Sequence, residues 1–295
     1  MADCAIKSYS KLWDKKRKFG YGDFILFVYC NCLSNTNKEK YIVKWKQFPY
    51  VSLFDNEEKI AAAGTAFQPG QIIVSPEGIL RKRDDFAESY DELWTTELKN
   101  FKTPYIVTAD ADFEILNPDF YFHLMDEIES NPFFIAASTN YDETRLVFDT
   151  YSNRNILLHE RSHTWFCIYK REAFDKSNVS HFYYEENNDG MIHAYDSAAL
   201  FQSRLREKGF GFYTLPKSYC NSFIHYGAGS KNKSLTEKNF KFYRAASILT
   251  ECGLLHRKSS RYLYKLNQIV KTICVKTIGK YLSKYKVERN KYIWD

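Results

Sequence analysis

The sequence predicts an α/β protein with a mainly parallel central sheet flanked by helices, followed by a basic helical extension. Short apolar runs typical of buried strands alternate with segments of helical period, which favours parallel β-α units. The 295 residues are 44% hydrophobic and 17% aromatic, enough for a sizeable core. The charge is uneven: from Arg257 onward eleven basic residues face two acidic ones, a net charge of +9, which leaves the first 256 residues at −3.

A polar stretch near Asn232–Lys241 suggests where the chain divides. We expect one domain over residues 1–235, with halves at about 20–118 and 119–230, and a helical extension over 236–295. In the extension, apolar residues alternate with lysines in the pattern of a basic amphipathic surface. The alternative is a helical cap whose lysines are simply solvated.

The N-terminal elements follow from local pattern. Residues 1–20 are polar and basic and are expected to be only partly ordered. Apolar runs predict strands at Phe24–Cys32, Tyr50–Phe54 and Gln71–Val74. A helix is expected from Asp84 to about Lys99, because its large apolar residues fall on one face.

Two aspartates follow the next predicted strand. Tyr105–Thr108 is short, β-branched and aromatic, and Pro104 bars a helix before it, so a buried core strand is expected. Asp110 and Asp112 come directly afterwards and would point the same way on an extended chain, where they could face one divalent cation. The alternative is an exposed acidic turn. The preceding strand and the following helix favour a site at the carboxyl end of a strand, where open α/β sheets bind ligands.

The rest of the chain repeats these patterns. Asn140–His159 is ambiguous, and Asp175–His193 is polar and expected to be flexible. Asp196 with Ser197 is expected to cap a helix that Gly209 closes. The predicted elements are a helix at Phe120–Glu129, strands at Phe133–Ser138 and Thr164–Tyr169, a helix at Ala198–Lys208 and a strand at Phe210–Leu215.

The cysteines and the termini bear on location. The seven cysteines form no C-x-x-C pair, so neither a zinc site nor a disulfide framework is indicated and a reducing compartment fits best. The N-terminus lacks the apolar core of a signal peptide, and no run approaches the ~18 residues of a membrane-spanning helix. We therefore expect a cytoplasmic protein, either soluble or peripheral on the inner face of the cytoplasmic membrane.

Several segments in order carry a family resemblance. They read TPYIVTADADFEILNPDFYFHLMDEIESNPFFIAAS, WFCIYKREAF, YDSAALFQSRLREKGFGFYTLP and FIHYG. This series resembles the glycosyltransferases of the GT-A fold, and among them the inverting family 2-type enzymes, over about residues 22–230. The resemblance implies a Rossmann-like sheet, with a nucleotide-sugar half before residue 118 and an acceptor half after it.

The resemblance also implies roles for particular residues. Asp112 matches the family's aspartate that holds Mn²⁺ or Mg²⁺ on the donor diphosphate, and Asp110 the one that contacts the ribose or the metal. His225 matches the histidine that completes the metal site in many relatives; the alternative is an ordinary loop histidine. Asp196 matches the general base, although a Glu-Asp pair is usual in the family and Tyr195 stands here in the first position.

Further residues would face the donor nucleotide or the acceptor. Asp55 lies where relatives place a carboxylate against the base. Arg81 or Arg83 matches an arginine that faces the base or phosphates, and a solvated charge run is the competing interpretation. His163 and Trp165 lie where an acceptor or sugar could pack, although a core tryptophan is the simpler reading of Trp165.

The expected function is a metal-dependent, inverting, hexosyltransferase-type glycosyltransferase. It would move a sugar from a nucleotide-sugar donor to a hydroxyl of a saccharide or lipid-linked saccharide, as in bacterial surface-polysaccharide or glycolipid assembly. Lysines of the extension could attach the enzyme to an anionic membrane surface. The alternatives are a sugar-nucleotide nucleotidyltransferase, which would normally show a Gly-rich phosphate loop that Tyr29–Asn37 lacks, and a non-catalytic sugar- or nucleotide-binding protein. The near-neutral body argues against a nucleic-acid partner.

Overall fold

Short helices alternate with strands of five small sheets in the described part of the chain, so the predicted α/β class is confirmed. A computed structural model describes residues 2–15, 24–30, 41–55, 72–74, 80–82, 100, 102–149, 154–177, 183–188, 190–225, 245 and 249. The chain divides into two units. The larger contains Trp13–Asp110 and Asp119–Pro216, and the smaller contains Met1–Leu12, Ala111–Pro118 and Lys217–Asp295.

The described strands are short, with at most six residues each. They are β1 (Leu26–Cys30), β2 (Val51–Asp55), β3 (Ile72–Val74), β4 (Leu80–Lys82), β5 (Tyr105–Ala109), β6 (Phe113–Ile115), β7 (Phe134–Ser138), β8 (Tyr141–Asp142), β9 (Arg145–Asp149), β10 (Arg154–Leu158), β11 (Arg161–Ser162), β12 (Phe166–Lys170), β13 (Tyr183–Asn188), β14 (Met191–Tyr195), β15 (Gly211–Thr214) and β16 (Phe223–His225). The α-helices are α1 (Ala2–Ser8), α2 (Ser10–Lys15), α3 (Asp119–Ser130), α4 (Glu172–Lys176) and α5 (Ala199–Glu207). A helical turn at 41–45 and a 3₁₀ turn at Lys217–Tyr219 complete the list.

A four-stranded sheet in the order β15-β7-β12-β5 contains the main core. β15 is parallel to β7, whereas β12 is antiparallel to both of its neighbours, β7 and β5. The strands β5, β7 and β15 therefore run in one direction, and their carboxyl ends meet at the same edge. The amino end of β12 also lies at this edge, because Phe166 pairs with Ala109.

The expectation of a mainly parallel sheet is wrong for the described strands. Only three of their eleven pairings are parallel: β1 with β2, β10 with β14, and β15 with β7. The chain leaves β7 at one edge, forms the short strands between residues 141 and 162, and re-enters at the same edge, so β12 must run backwards. An apolar run such as Phe166–Lys170 specifies a buried strand but not its direction.

The segments that the sequence left ambiguous or flexible form a second, larger sheet. Its order is β3-β4-β13-β14-β10-β9, and it is antiparallel apart from the β10–β14 pair. Strands β9 and β10 fall in the ambiguous stretch 140–159, and β13 and β14 in the polar stretch 175–193. These strands carry polar residues, because a sheet with one face towards water needs only alternate apolar residues.

The core of the larger unit packs helices against the four-stranded sheet. Buried residues of α4 and α5, including Phe174, Phe201 and Leu205, contact Ile135 and Tyr169 of the sheet. Helix α3 buries Phe120, Phe122, Leu124, Met125 and Ile128, spaced as an amphipathic helix requires. The predicted helix at Phe120–Glu129 is thereby confirmed to within one residue at each end.

The smaller unit contains a two-stranded ribbon and the N-terminal helix. Strand β6 pairs antiparallel with β16, and α1 contacts β6. Within the stretch 1–20 that the sequence analysis expects to be only partly ordered, residues 2–15 form α1 and α2 and bury Ala5, Ile6 and Leu12.

Some predictions lie outside the described residues. These are the helix from Asp84 to Lys99, Arg83, and the extension at 236–295 apart from residues 245 and 249. The proposed division at 235/236 accordingly stays a prediction. Among the helices that the structure describes, none is long and apolar enough to cross a membrane.

Candidate metal and acceptor site

The Asp110–Asp112 segment emerges at the carboxyl end of β5, as the sequence predicts. The Asp110 amide donates a hydrogen bond of 2.9 Å to the Trp165 carbonyl, which continues the β5–β12 ladder by one residue. The predicted core strand is present, since β5 buries Ile106 and Thr108, but it ends its sheet among the described strands and Val107 is 39% exposed. The motif is also not extended: residues 111 and 112 form a turn before β6 begins.

The β6–β16 ribbon brings His225 beside Asp112. In its register His225 lies opposite Phe113, the residue after Asp112. The pairing therefore brings the side chains of Asp112 and His225 close together. The rings of Phe113 and Phe223 stack with centroids 4.9 Å apart and hold the ribbon together. Asp112 Oδ1 and His225 Nε2 are 3.3 Å apart, and both side chains are mostly buried.

Asp112 and His225 offer two potential metal-ligand side chains within one unit. A carboxylate and an imidazole suit a divalent cation such as Mn²⁺, whereas Mg²⁺ prefers oxygen ligands alone. The role of Asp110 at the metal stays a prediction. His225 lies in a strand rather than in the predicted loop, and the ladder rather than the loop sequence sets its position.

Asp196 lies between β14 and α5 and contacts Arg161. Arg161 Nη2 donates to Asp196 Oδ2 at 2.9 Å, and the Ser197 amide donates to Asp196 Oδ1 at 2.7 Å. The predicted capping role is wrong, because the N-cap residue of α5 is Ala198 and no side chain caps this helix. The Asp196 carbonyl instead accepts from the Ala199 amide at 2.7 Å, which leaves the carboxylate outside the helix hydrogen-bonding pattern.

Backbone strain adjoins this aspartate. Ala198 has a φ of 65°, in the left-handed region that a residue with a Cβ adopts at a cost of roughly 1–2 kcal/mol. It is the one non-glycine residue with positive φ in the described ranges. Strained backbone clusters at functional sites, where the surrounding structure enforces it. The strain is therefore independent support for a functional role at Asp196.

The sequence analysis missed Arg161 and Asp142, which lie opposite each other in the β8–β11 ladder. Asp142 Oδ2 accepts from His163 Nε2 at 2.9 Å and lies 3.9 Å from Arg161 Nε. One guanidinium thus connects the carboxylates of Asp142 and Asp196. The spacing of Arg161 and His163 was a faint signal in the sequence, since polar residues two apart on an extended chain share a face.

His163 is buried against Trp165. The two ring centroids are 3.9 Å apart, and burial lowers the pKa of His163, with the nearby Arg161 charge acting in the same direction. The neutral ring donates from Nε2 to Asp142, which leaves Nδ1 as a buried acceptor with no hydrogen-bond partner among the described residues. His163 and Trp165 lie next to each other at the sheet edge that Asp110 adjoins, and their expected role at an acceptor stays a prediction.

Gln202 of α5 fixes the segment that carries Arg161 and His163. The Ser162 amide donates to Gln202 Oε1 at 2.6 Å, and Gln202 Nε2 donates to the Ser162 carbonyl at 2.8 Å and to the Tyr169 hydroxyl at 2.9 Å. The amide thereby acts as a strand would, pairing with both backbone groups of one residue. Gln202 is fully buried, and a glutamine in a helical pattern gives no sequence signal for such a role.

The predicted nucleotide-binding residues are placed only in part. Asp55 is the last residue of β2, as expected for a carboxylate after the second strand. Arg81 lies in β4, opposite Ile73 of β3 and Tyr184 of β13. The side chains of both lie outside the described atoms, as does all of Arg83, so their roles stay predictions.

Comparison of the chain with protein-family models, with curated proteins and with solved structures gives no match in any of the three. The chemistry of the site therefore has to be inferred from its own residues.

Proposed function

We propose that the chain is a metal-dependent glycosyltransferase of the GT-A type that moves a sugar from a nucleotide-sugar donor to a hydroxyl acceptor. The observation that carries the proposal is the Asp112–His225 pair, whose ligand atoms lie 3.3 Å apart and whose aspartate follows β5 closely in the chain.

Of the two expected ions, Mn²⁺ or Mg²⁺, the carboxylate–imidazole pair favours Mn²⁺. Asp112 and His225 would hold the ion, with Asp110 as a further ligand or as a partner of the ribose. A bound ion supplies Lewis-acid stabilisation of a leaving nucleoside diphosphate. Because both side chains of the Asp112–His225 pair are mostly buried, their geometry is preorganised and little reordering is needed on binding.

Asp196 is the proposed general base. Its carboxylate keeps about a third of its surface exposed, so an acceptor hydroxyl can reach it, while Arg161 and the Ser197 amide fix its orientation. A base in an inverting displacement takes the hydroxyl proton as that oxygen attacks the anomeric carbon on the face opposite the diphosphate. Product NMR tests the stereochemistry: retention of the anomeric configuration would refute this role.

The metal site is tested by titration calorimetry with Mn²⁺ and a panel of nucleoside diphosphates. We expect the wild type to bind one of them only with Mn²⁺, and Asp112→Asn to lose that binding, since second-shell changes alone cost 10–100-fold in metal affinity. Asp119→Asn is the matched control, because Asp119 is a half-exposed aspartate paired with Lys15 at 3.0 Å.

The outcomes separate the candidate functions. If the wild type binds no nucleoside diphosphate with Mn²⁺, the glycosyltransferase proposal is wrong. If it binds, slow hydrolysis across a screen of nucleotide sugars identifies the donor, whereas a non-catalytic binding protein would bind without hydrolysis.

A further inference from the structure

We infer that the N-terminal helix α1 and Lys11 are positioning elements of the Asp112–His225 metal site, so that the first eleven residues control its cation affinity. This inference rests on the proposed metal-dependent function. It concerns only residues of the smaller unit, and nothing in the sequence pattern of residues 1–20 points to it.

Strand β6 is hydrogen-bonded on two sides. On one side it pairs with β16, and the amides of Leu116 and Asn117 extend that pairing by donating to the Ser222 carbonyl at 2.8 and 2.9 Å. Backbone groups alternate sides along a strand, so the amide and carbonyl of Ile115 face the other way. There, N-terminal side chains rather than another described strand contact them.

Ser8 and Lys11 provide those contacts. The buried Ser8 hydroxyl accepts from the Ile115 amide at 2.8 Å and donates to the Ala5 carbonyl at 2.6 Å, so its donor and an acceptor site are both used. Lys11 Nζ donates to the carbonyls of Ile115 and Leu116, each at 2.9 Å. These side chains take the place of a third strand.

The ribbon needs this third partner. A two-stranded ribbon is marginal in water unless it packs against a helix or further strands. Its register is what places His225 next to Asp112, and a site that is about 1 Å too loose loses its function. Loss of the contacts to Ile115 and Leu116 should therefore weaken cation binding, although Ser8 and Lys11 act on the metal-ligand residues only through the β6 backbone.

Charge makes the test decisive. Lys11→Met keeps the aliphatic stem but removes both hydrogen bonds and one positive charge. If Lys11 acted only through its charge, removing it would tighten binding of Mn²⁺, because a repelling cation is lost. If Lys11 positions β6, binding of Mn²⁺ weakens by about 10-fold, which is in the range seen when residues that orient metal ligands are substituted.

The experiment measures the Mn²⁺ dissociation constant of the full chain by calorimetry for wild type, Lys11→Met, Ser8→Ala and the control Lys7→Met. Lys7 lies in α1, half exposed and paired with Asp3 at 3.3 Å, so its loss tests charge and helix content without a contact to β6. Lys11→Arg, which can still donate to carbonyls, should recover most of the affinity. Thermal unfolding without metal shows whether each variant is folded. If Ser8→Ala does not fold, Lys11→Met alone tests the inference.

Weaker binding in Lys11→Met but not in Lys7→Met supports the inference, and unchanged or tighter binding in Lys11→Met overturns it. A wild type that binds no Mn²⁺ removes both this inference and the proposed function. A wild type that binds Mn²⁺ but no nucleoside diphosphate removes only the proposed function.

Discussion

At the scale of single residues, two charged clusters have different proposed roles. The Asp112–His225 pair has ligand atoms for a cation, whereas Asp196 pairs with Arg161, which also lies near the carboxylate of Asp142. We propose a binding role for the first cluster and a proton-transfer role for the second. Substitutions should therefore affect binding and turnover independently.

Asp196→Asn tests that separation. The amide keeps the size of the side chain but cannot accept the acceptor proton, so sugar transfer should fall by about 10²–10⁴-fold. Binding of Mn²⁺ with nucleoside diphosphate should stay unchanged, because Asp196 is not among the proposed ligands. Kinetics with the donor found by the hydrolysis screen, together with calorimetry, check both parts; equal transfer rates for the variant and the wild type would remove the base assignment.

His163 should make stability depend on pH. Its pKa is lowered from the ordinary value of 6.5 by burial, so the unfolded chain takes up the proton before the folded chain does. Below about pH 6.5 the free energy of unfolding should then fall as pH falls, and above it this contribution is constant. His159, whose pKa burial also lowers, adds to the same trend.

Urea unfolding between about pH 5 and pH 7.5 measures this effect. His163→Gln keeps a donor towards Asp142 but does not titrate, so its free energy of unfolding should depend less steeply on pH than that of the wild type. His123→Gln, at a partly exposed histidine that contacts Tyr213, is the control. An identical pH slope in His163→Gln and wild type would contradict the prediction.

At the scale of elements, α5 holds the segment that contains Arg161 and His163. Gln202 satisfies both backbone groups of Ser162, a residue that is almost fully buried between Arg161 and His163. Ser138, at the end of β7, adds a hydrogen bond of 2.9 Å to the His163 carbonyl. Two separate elements therefore fix the position of one short strand.

Gln202→Met should destabilise the protein by about 2–6 kcal/mol, since it leaves the buried amide and carbonyl of Ser162 without a partner at a cost of about 1–3 kcal/mol each. Chemical denaturation measures the loss. Arg204→Met is the control on the same helix, because its exposed ion pair with Glu207 contributes about 0–1 kcal/mol. If both variants lose the same small amount, the Gln202 contacts do not have the structural weight assigned to them.

At the scale of the whole molecule, the charge of residues 257–295 predicts attachment of the protein to an anionic membrane surface. Residues 257–295 carry a net charge of +9, and each lysine or arginine near an anionic membrane contributes about 1 kcal/mol. We expect the full chain to sediment with anionic vesicles at low salt, and truncation at residue 256 to abolish this. High salt should also release the protein, since the attraction is screened. Failure of the full chain to bind would leave the extension as a helical cap.

The sequence by itself determined the α/β class, the positions of all four strands of the four-stranded sheet, α3, and the carboxylates at the end of β5. These features are local: side-chain period, β-branching and proline positions act over a few residues. Only the tertiary structure decided strand direction, the helical N-terminus that contacts β6, and the partners Arg161, Asp142 and Gln202. Those depend on pairings between residues far apart in the chain, such as Ser8 with Ile115 and Gln202 with Ser162, and no local pattern encodes which distant backbone group a polar side chain will satisfy.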